Sequence, residues 1–136
     1  MILYQGKFPS TQKLKNGIIT LIKDKLSEIE GRICIDLFDL NLVLDEAIIN
    51  AMEHGNNWDP AKNILIKISL KEKGIQIEIE DEGQGFDYFH KVVIKKLKPH
   101  LGERGRGLLL IQQLCDIEWI NSGNIIQMNI PVEIGV

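Results

Sequence analysis

Strict two-residue alternation in the middle of the chain constrains the fold more than any other feature. Between residues 64 and 70, and again between 75 and 79, isoleucine or leucine recurs at every second position. A polar turn, Lys71-Glu72-Lys73-Gly74, separates the two runs. Because successive side chains of a strand point to opposite faces of a sheet, the pattern predicts a β-hairpin with an apolar face that other elements must cover.

The segments around this hairpin show helical and extended patterns. An edge strand over 2–8 ends at Pro9, and Ser10 or Thr11 then caps a first helix that Gly31 stops. The first helix carries an apolar stripe, which either covers the sheet or serves a homodimer or partner interface. The elements that follow are a second helix over 38–54 ended by Gly55-Asn56-Asn57, the hairpin, a third helix from about 105, and strands at 117–120 and 125–130.

The order of these elements predicts an α/β sandwich, with a mixed, mostly antiparallel sheet and helices on one face. With 136 residues, 44% of them hydrophobic, the chain has the size of one compact domain over 1–136. A net charge of −3 gives no general field for nucleic acid, and no apolar run reaches the roughly 18 residues of a membrane span. No leader pattern starts the chain, which predicts a cytoplasmic protein. Cys34 and Cys115, isolated among apolar residues, are predicted to be buried thiols.

The first motif that carries chemistry is Glu46-Ala-Ile-Ile-Asn50 on the second helix. A spacing of four residues places the carboxylate and the amide on one helix face, and His54 lies a further four residues along. An acid, a neutral oxygen donor and an imidazole therefore share one stripe. By itself the stripe is more typical of a solvated helix face than of a site.

Two glycine-bearing turns follow. In Asp81-x-Gly83-x-Gly85, after the hairpin, the glycines allow a flat ligand to approach, and the carboxylate is an acceptor for an exocyclic amine such as that of adenine. The segment 102–108, Gly-Glu-Arg-Gly-Arg-Gly-Leu, leads into the third helix and offers backbone N–H groups and two arginines to an anion. No Gly-Lys-Ser/Thr follows these glycines, and neither turn lies in a βαβ unit, so Walker and Rossmann sites are both disfavoured.

Together these motifs resemble those of the GHKL ATPases, which include gyrase, histidine kinase and MutL types. Within that group the chain is similar to the anti-sigma factor serine/threonine kinases that control bacterial sigma factors. Residues 46–56 are similar to the N box of the family, 81–87 to its first glycine box and 105–108 to its second. The similarity runs from about residue 10 to 130.

The resemblance implies Mg-ATP as the cofactor and assigns roles to the matching residues. Glu46 is the implied general base and Asn50 the implied Mg²⁺ ligand, while Asp81 reads the adenine amine. The basic stretch 86–104 is the implied lid over the triphosphate. The remaining implied nucleotide contacts are Gly83, Gly85, Arg104, Gly105, Arg106, Gly107 and Leu108, with His54 either lining the pocket or buried and satisfied.

Glu46 distinguishes among the subfamilies. Histidine kinases of this type usually carry asparagine at that position and need an acceptor histidine, whereas no histidine precedes His54 here. The resemblance therefore implies an ATP-dependent anti-sigma factor that phosphorylates a Ser or Thr of an anti-anti-sigma protein and sequesters a sigma factor. The alternatives are a nucleotide-gated protein-binding switch without kinase activity, or a detached histidine-kinase ATPase domain.

Overall fold

The protein was analysed as a computed structural model, which describes residues 1–29, 31–72, 74–83, 116–120 and 124–133. The elements in chain order are β1 (Ile2–Pro9), α1 (Gln12–Ser27), β2 (Arg32–Ile33), α2 (Leu37–Ile49), a π-helical segment (Asn50–Gly55), β3 (Asn63–Lys71), β4 (Gly74–Glu80), β5 (Asp116–Ile120) and β6 (Ile125–Glu133).

The strands form one sheet in the order β1-β3-β4-β6, and both β5 and β2 pair with the remaining edge of β6. β5 pairs with the first half of β6, and the two-residue β2 pairs with its end. All the pairings among the described strands are antiparallel. The predicted sandwich is therefore confirmed, with no parallel pair in this part of the chain.

One face of the sheet carries the hydrophobic core. The hairpin prediction is confirmed. Ile66 lies opposite Ile79, and Ile77 lies opposite both Ile68 and Met128. Each of these side chains is at most 1% exposed, which contributes roughly 1.5–3 kcal/mol per residue. The helices cover this face with Ile18, Ile19, Ile22 and Leu26 of α1 and Leu40, Val43, Leu44, Ala47 and Ile48 of α2. Of the two alternatives for the first helix, the structure therefore supports covering of the sheet.

The opposite face is polar and is organised by cross-strand contacts. The Lys67 ammonium lies 3.6 Å from the Glu78 carboxylate. Gln127 Nε2 donates to Glu78 Oε1 at 3.1 Å, and Gln76 Nε2 donates to Asn129 Oδ1 at 3.2 Å. These half-buried groups satisfy one another's hydrogen-bonding capacity, so this face of the sheet is stable without cover from the two described helices.

The start of α1 differs from the sequence prediction. Thr11 occupies the N-cap position, but its side chain makes no capping hydrogen bond. Ser10 is fully buried, and its hydroxyl donates instead to the Lys62 carbonyl oxygen at 2.8 Å. Predicted side-chain capping of α1 is therefore wrong, because the Ser10 oxygen is used in a tertiary contact. The helix ends at Ser27, before Gly31 with its φ of 117°.

The region between the helices also differs from expectation. The Cys34 side chain is exposed, so the prediction of a buried thiol is wrong at this position. The reason is that Cys34 follows β2 at the edge of the sheet, where its backbone N–H donates to the Pro131 carbonyl at 2.8 Å. Asp36 caps α2 by accepting from the Phe38 backbone N–H at 2.8 Å, so the helix begins one residue before the predicted start. Cys115 and the predicted third helix lie outside the described residues.

In the described part of the chain, none of the helices has the length and apolar character required to span a bilayer.

Candidate functional site

The Glu46 motif spans a change of helix type. Regular α-helix ends at Ile49, and Asn50–Gly55 is π-helical, so the backbone N–H of Asn56 donates to the Ala51 carbonyl at 3.0 Å across five residues. A π turn contains more residues than an α turn, so within this segment a spacing of four residues no longer completes one turn. The helix predicted over 38–54 therefore consists of two helix types, an α-helix followed by the π-helical segment.

The three side chains of this motif differ in their exposure. Glu46 is half-buried, and Asn50 is 9% exposed and belongs to the buried interior. His54 is exposed, so the burial expected in the alternative of a core histidine is wrong. The three side chains therefore do not form a stripe of uniform exposure: the carboxylate is half-buried, the amide is buried and the imidazole is exposed.

Asp81 lies directly after β4 and is held by the backbone of its own turn and by the residue that precedes β6. It is 6% exposed. Its backbone N–H donates to the Asn124 carbonyl at 2.9 Å, and Asn124 Nδ2 donates back to the Asp81 carbonyl at 3.2 Å. Its carboxylate oxygen Oδ1 accepts from the Gly83 backbone N–H at 2.8 Å. Three hydrogen bonds therefore fix both the position and the rotamer of this carboxyl group.

Burial changes the acidity of this group. Loss of water raises the pKa of Asp81 from 3.8 to about 6, the hydrogen bond from Gly83 works against that rise, and the neighbouring Glu80 charge adds to it. Near neutral pH the group is still mostly ionised. A buried carboxylate with one oxygen satisfied by the chain is a strong acceptor for a donor group of a ligand.

Close packing brings the end of the π-helical segment against the Asp81 turn. A Cβ built onto Gly55 overlaps the Asp81 carboxyl group, and one built onto Gly83 overlaps the Gly55 carbonyl oxygen. Glycine at both positions is thus required by contacts inside the protein, and not only by room for a ligand. The structure therefore brings the helix motif and the first glycine turn together.

Part of the predicted site cannot be placed. Gly85, the basic stretch 86–104 and the second glycine segment lie outside the described residues, and with them the predicted contacts Arg104, Gly105, Arg106, Gly107 and Leu108. Within the described ranges, no group of three His, Cys, Asp or Glu side chains is arranged to hold a metal ion.

The sequence predicts no role in the site for Ser10, Asn56 or Asn124. In the sequence Asn56 belongs to the helix stop and to the segment similar to the N box, without a role of its own, although its side chain is fully buried and bonded to three segments. One signal was available, because the segment 46–56 similar to the N box ends at this asparagine. The contact between Asn124 and Asp81 had no comparable signal.

Comparison with known proteins gives a family match over most of the chain. The family described as the histidine kinase-like ATPase domain matches residues 20–130. This range includes α2, the π-helical segment and the Asp81 turn.

Individual relatives are also similar. The anti-sigma F factor of Clostridium perfringens strain SM101 is 30% identical over 83 residues, which cover 60% of this chain and 59% of that protein. The serine-protein kinase RsbW of Bacillus licheniformis is 30% identical over 108 residues, covering 74% of this chain and 66% of the relative. RsbW of Oceanobacillus iheyensis is 34% identical over 94 residues, covering 62% and 57%. The chain thus spans less than two thirds of the length of these relatives.

Proposed function

Because the chain belongs to the family of histidine kinase-like ATPase domains, we propose that it is an ATP-dependent anti-sigma factor. In this proposal it uses Mg-ATP to phosphorylate a Ser or Thr of an anti-anti-sigma protein, and it sequesters a sigma factor. Family membership confirms the resemblance that the three motifs predict. The names of the relatives, anti-sigma F factor and serine-protein kinase, support the two halves of the proposed activity.

The observation that carries the proposal is the contact between the helix end and the Asp81 turn. Asn50 begins the π-helical segment whose last residue, Gly55, packs on the Asp81 carboxyl group. That contact lies five residues after Asn50 along this segment. This separation supports the proposal that a base acceptor and a metal-binding amide contact different ends of one nucleotide.

The residues present fit the proposed cofactor. Asp81 offers a fixed carboxylate oxygen to the adenine amine, because its other oxygen is occupied by the Gly83 N–H. Asn50 supplies a hard amide oxygen suited to Mg²⁺, which when bound neutralises charge on the triphosphate. Glu46, one helical turn before Asn50, accepts the proton of the attacking protein hydroxyl as general base. Gly85, Arg104, Gly105, Arg106, Gly107 and Leu108 keep their proposed nucleotide contacts, and His54 is proposed to line the pocket.

The proposal also covers organisation and location. It describes one domain over 1–136 that acts in the cytoplasm on protein partners and does not bind nucleic acid directly. A homodimer is the assembly expected by resemblance. Light scattering on the purified chain measures its mass in solution and tests this expectation directly.

Nucleotide binding is tested by isothermal titration with Mg-ATP. We expect saturable binding by the wild type and a loss of at least about tenfold in affinity in Asn50→Ala, since a metal ligand is removed. The matched control is Asn41→Ala, which makes the same substitution at an exposed position of the same helix. Absence of Mg-ATP binding by the wild type would overturn the proposed function.

Phosphoryl transfer is tested with radiolabelled Mg-ATP and a candidate anti-anti-sigma protein. We expect acid-stable label on the partner with wild type, and loss of label with Glu46→Gln while nucleotide binding persists. Glu28→Gln, at an exposed position after α1, is the control. Binding without transfer would favour a nucleotide-gated switch, and acid-labile label would indicate a histidine-kinase ATPase domain.

A further inference from the structure

Asn56 is a fully buried polar residue directly after the π-helical segment. Its amide nitrogen donates to the Ser10 hydroxyl at 2.8 Å and to the Asn63 carbonyl at 3.0 Å. Its amide oxygen accepts from the Glu82 backbone N–H at 2.8 Å. An asparagine side chain offers two donors and an acceptor oxygen, and all three are used here.

These bonds connect parts of the chain that are far apart in sequence. Ser10 lies between β1 and α1, and Asn63 is the first residue of β3. Glu82 lies between Asp81 and Gly83, in the turn that carries the carboxylate. One side chain therefore fixes the turn to the framework on which the sheet and helices are built.

The partners of Asn56 make further hydrogen bonds to the framework. Ser10 is itself fixed, since its hydroxyl and its backbone N–H both donate to the Lys62 carbonyl, at 2.8 and 3.1 Å. The Glu82 carboxylate accepts from the Asn63 backbone N–H, so Glu82 is attached to the start of β3 by its side chain as well. Because the Ser10 and Asn63 partners of the Asn56 amide nitrogen belong to the framework, the Asn56 oxygen is a fixed acceptor for the Glu82 N–H.

The bond to Glu82 constrains the carboxylate next to it. The orientation of the peptide groups on either side of Glu82 determines where the Gly83 N–H points, and this N–H holds Asp81 Oδ1. Without the Asn56 acceptor, the part-buried Glu82 N–H loses its partner inside the protein, which favours rotation of the turn toward water. The Asp81 carboxylate then loses its fixed direction.

We propose that Asn56 is a positioning residue for purine recognition, holding the Asp81 carboxylate at the angle that selects a base with an exocyclic amine. This inference rests on the proposed function, in which Asp81 accepts from the adenine amine. Asn56 touches neither the base nor the phosphates. It contributes to the selectivity of binding through the turn.

The test compares Mg-ATP with Mg-ITP, which has the same sugar and triphosphate but a carbonyl in place of the amine. A hydrogen bond to a charged acceptor implies that wild type prefers ATP by about tenfold or more. In Asn56→Ala we expect the ratio of the two dissociation constants to fall to within about threefold, mainly through weaker ATP binding. A residue with a purely structural role would weaken both nucleotides equally and leave this ratio unchanged.

Ser10→Ala is the matched control within the network. It removes one partner of the Asn56 amide nitrogen and leaves the acceptor of the Glu82 N–H in place. We expect a lower melting temperature with the ATP/ITP ratio retained. Loss of the ratio in Ser10→Ala to the same degree as in Asn56→Ala would overturn the inference, because selectivity would then follow stability alone.

Asn56→Ser is measured in parallel, in case the alanine variant does not fold. A serine hydroxyl retains one polar group in the buried site but is too short to reach Glu82 while bonded to Ser10. Binding is measured below the melting transition of each variant. A retained ratio in a folded variant, or failure of both variants to fold, would assign Asn56 to stability and overturn the inference. A wild type that binds ATP but does not distinguish ITP would overturn it as well, whereas a wild type that binds neither nucleotide would refute the proposed function itself.

Discussion

Replacing Asp81 by asparagine should stabilise the protein near neutral pH while weakening its binding of ATP. The substitution preserves shape, and the amide oxygen can still accept the hydrogen bond from the Gly83 N–H. It removes the charge that burial disfavours. The other carboxylate oxygen is replaced by an NH₂ group. This group is a donor and cannot accept the hydrogen bond that the adenine amine donates in the proposed function.

The size of the stability effect follows from the acidity of the carboxyl group. A pKa raised from 3.8 to about 6 corresponds at most to about 3 kcal/mol, at about 1.4 kcal/mol per pH unit. Water near the turn screens part of this penalty, so we expect the variant to gain about 1–2 kcal/mol at pH 7.5.

The dependence on pH has a definite sign. Because the folded pKa of Asp81 is the higher one, its protonated form favours the fold below pH 3.8, and this contribution is lost as the pH rises through about 6. The neutral amide does not titrate. The advantage of Asp81→Asn should therefore be small near pH 4, increase between pH 4 and 6, and remain constant above about pH 7.

Urea unfolding of both proteins at pH 4, 5, 6 and 7.5 measures the free energy of unfolding directly. Asp24→Asn, at an exposed position of α1, is the control and should change stability by no more than about 0.5 kcal/mol at any pH. A variant less stable than wild type at pH 7.5, or an advantage that does not shrink on acidification, would refute the reasoning.

Three further experiments test the packing that positions the site. Gly55→Ala should lower the free energy of unfolding by about 1–3 kcal/mol, since its methyl group overlaps the neighbouring carboxyl, whereas Gly17→Ala in open space on α1 should raise it by about 0.5–1 kcal/mol; urea titrations compare the two. Ile22→Ala should cost about 2–5 kcal/mol, because this side chain is 0% exposed between α1 and the sheet, and a loss under 1 kcal/mol would contradict its place in the core. A double-mutant cycle on Lys15 and Asp45, whose charged atoms lie 2.7 Å apart between α1 and α2, should give a coupling of no more than about 1 kcal/mol that decreases in high salt.

The hairpin and the final strands were predictable because their signal is local. The alternation at 64–70 and 75–79 specifies both the strands and the buried face, whatever the rest of the chain does. The cysteine prediction failed for the complementary reason. Cys34 has apolar sequence neighbours, but its exposure depends on β2 lying at an edge of the sheet. A strand of two residues has no sequence pattern that would predict this position.

The candidate site was predictable only as separate pieces. The Glu46–Asn50 spacing and the Asp81 turn are short-range patterns, and the family match over 20–130 agrees with them. The change to π-helix at Asn50 had no pattern to reveal it, since it depends on how the end of the helix packs on the turn.

The sequence by itself determined the longer strands, the covering helices and the polar motifs that carry the family resemblance, because each of these depends on residues a few positions apart. Only the tertiary structure decided which of those residues meet. Asn56 bonds to Ser10, 46 residues away, and to Glu82, 26 residues away, and no periodicity links such positions. Buried polar groups must find partners wherever the fold places them, so the Asn56 network and the position of the Asp81 carboxylate arise only after the chain has folded.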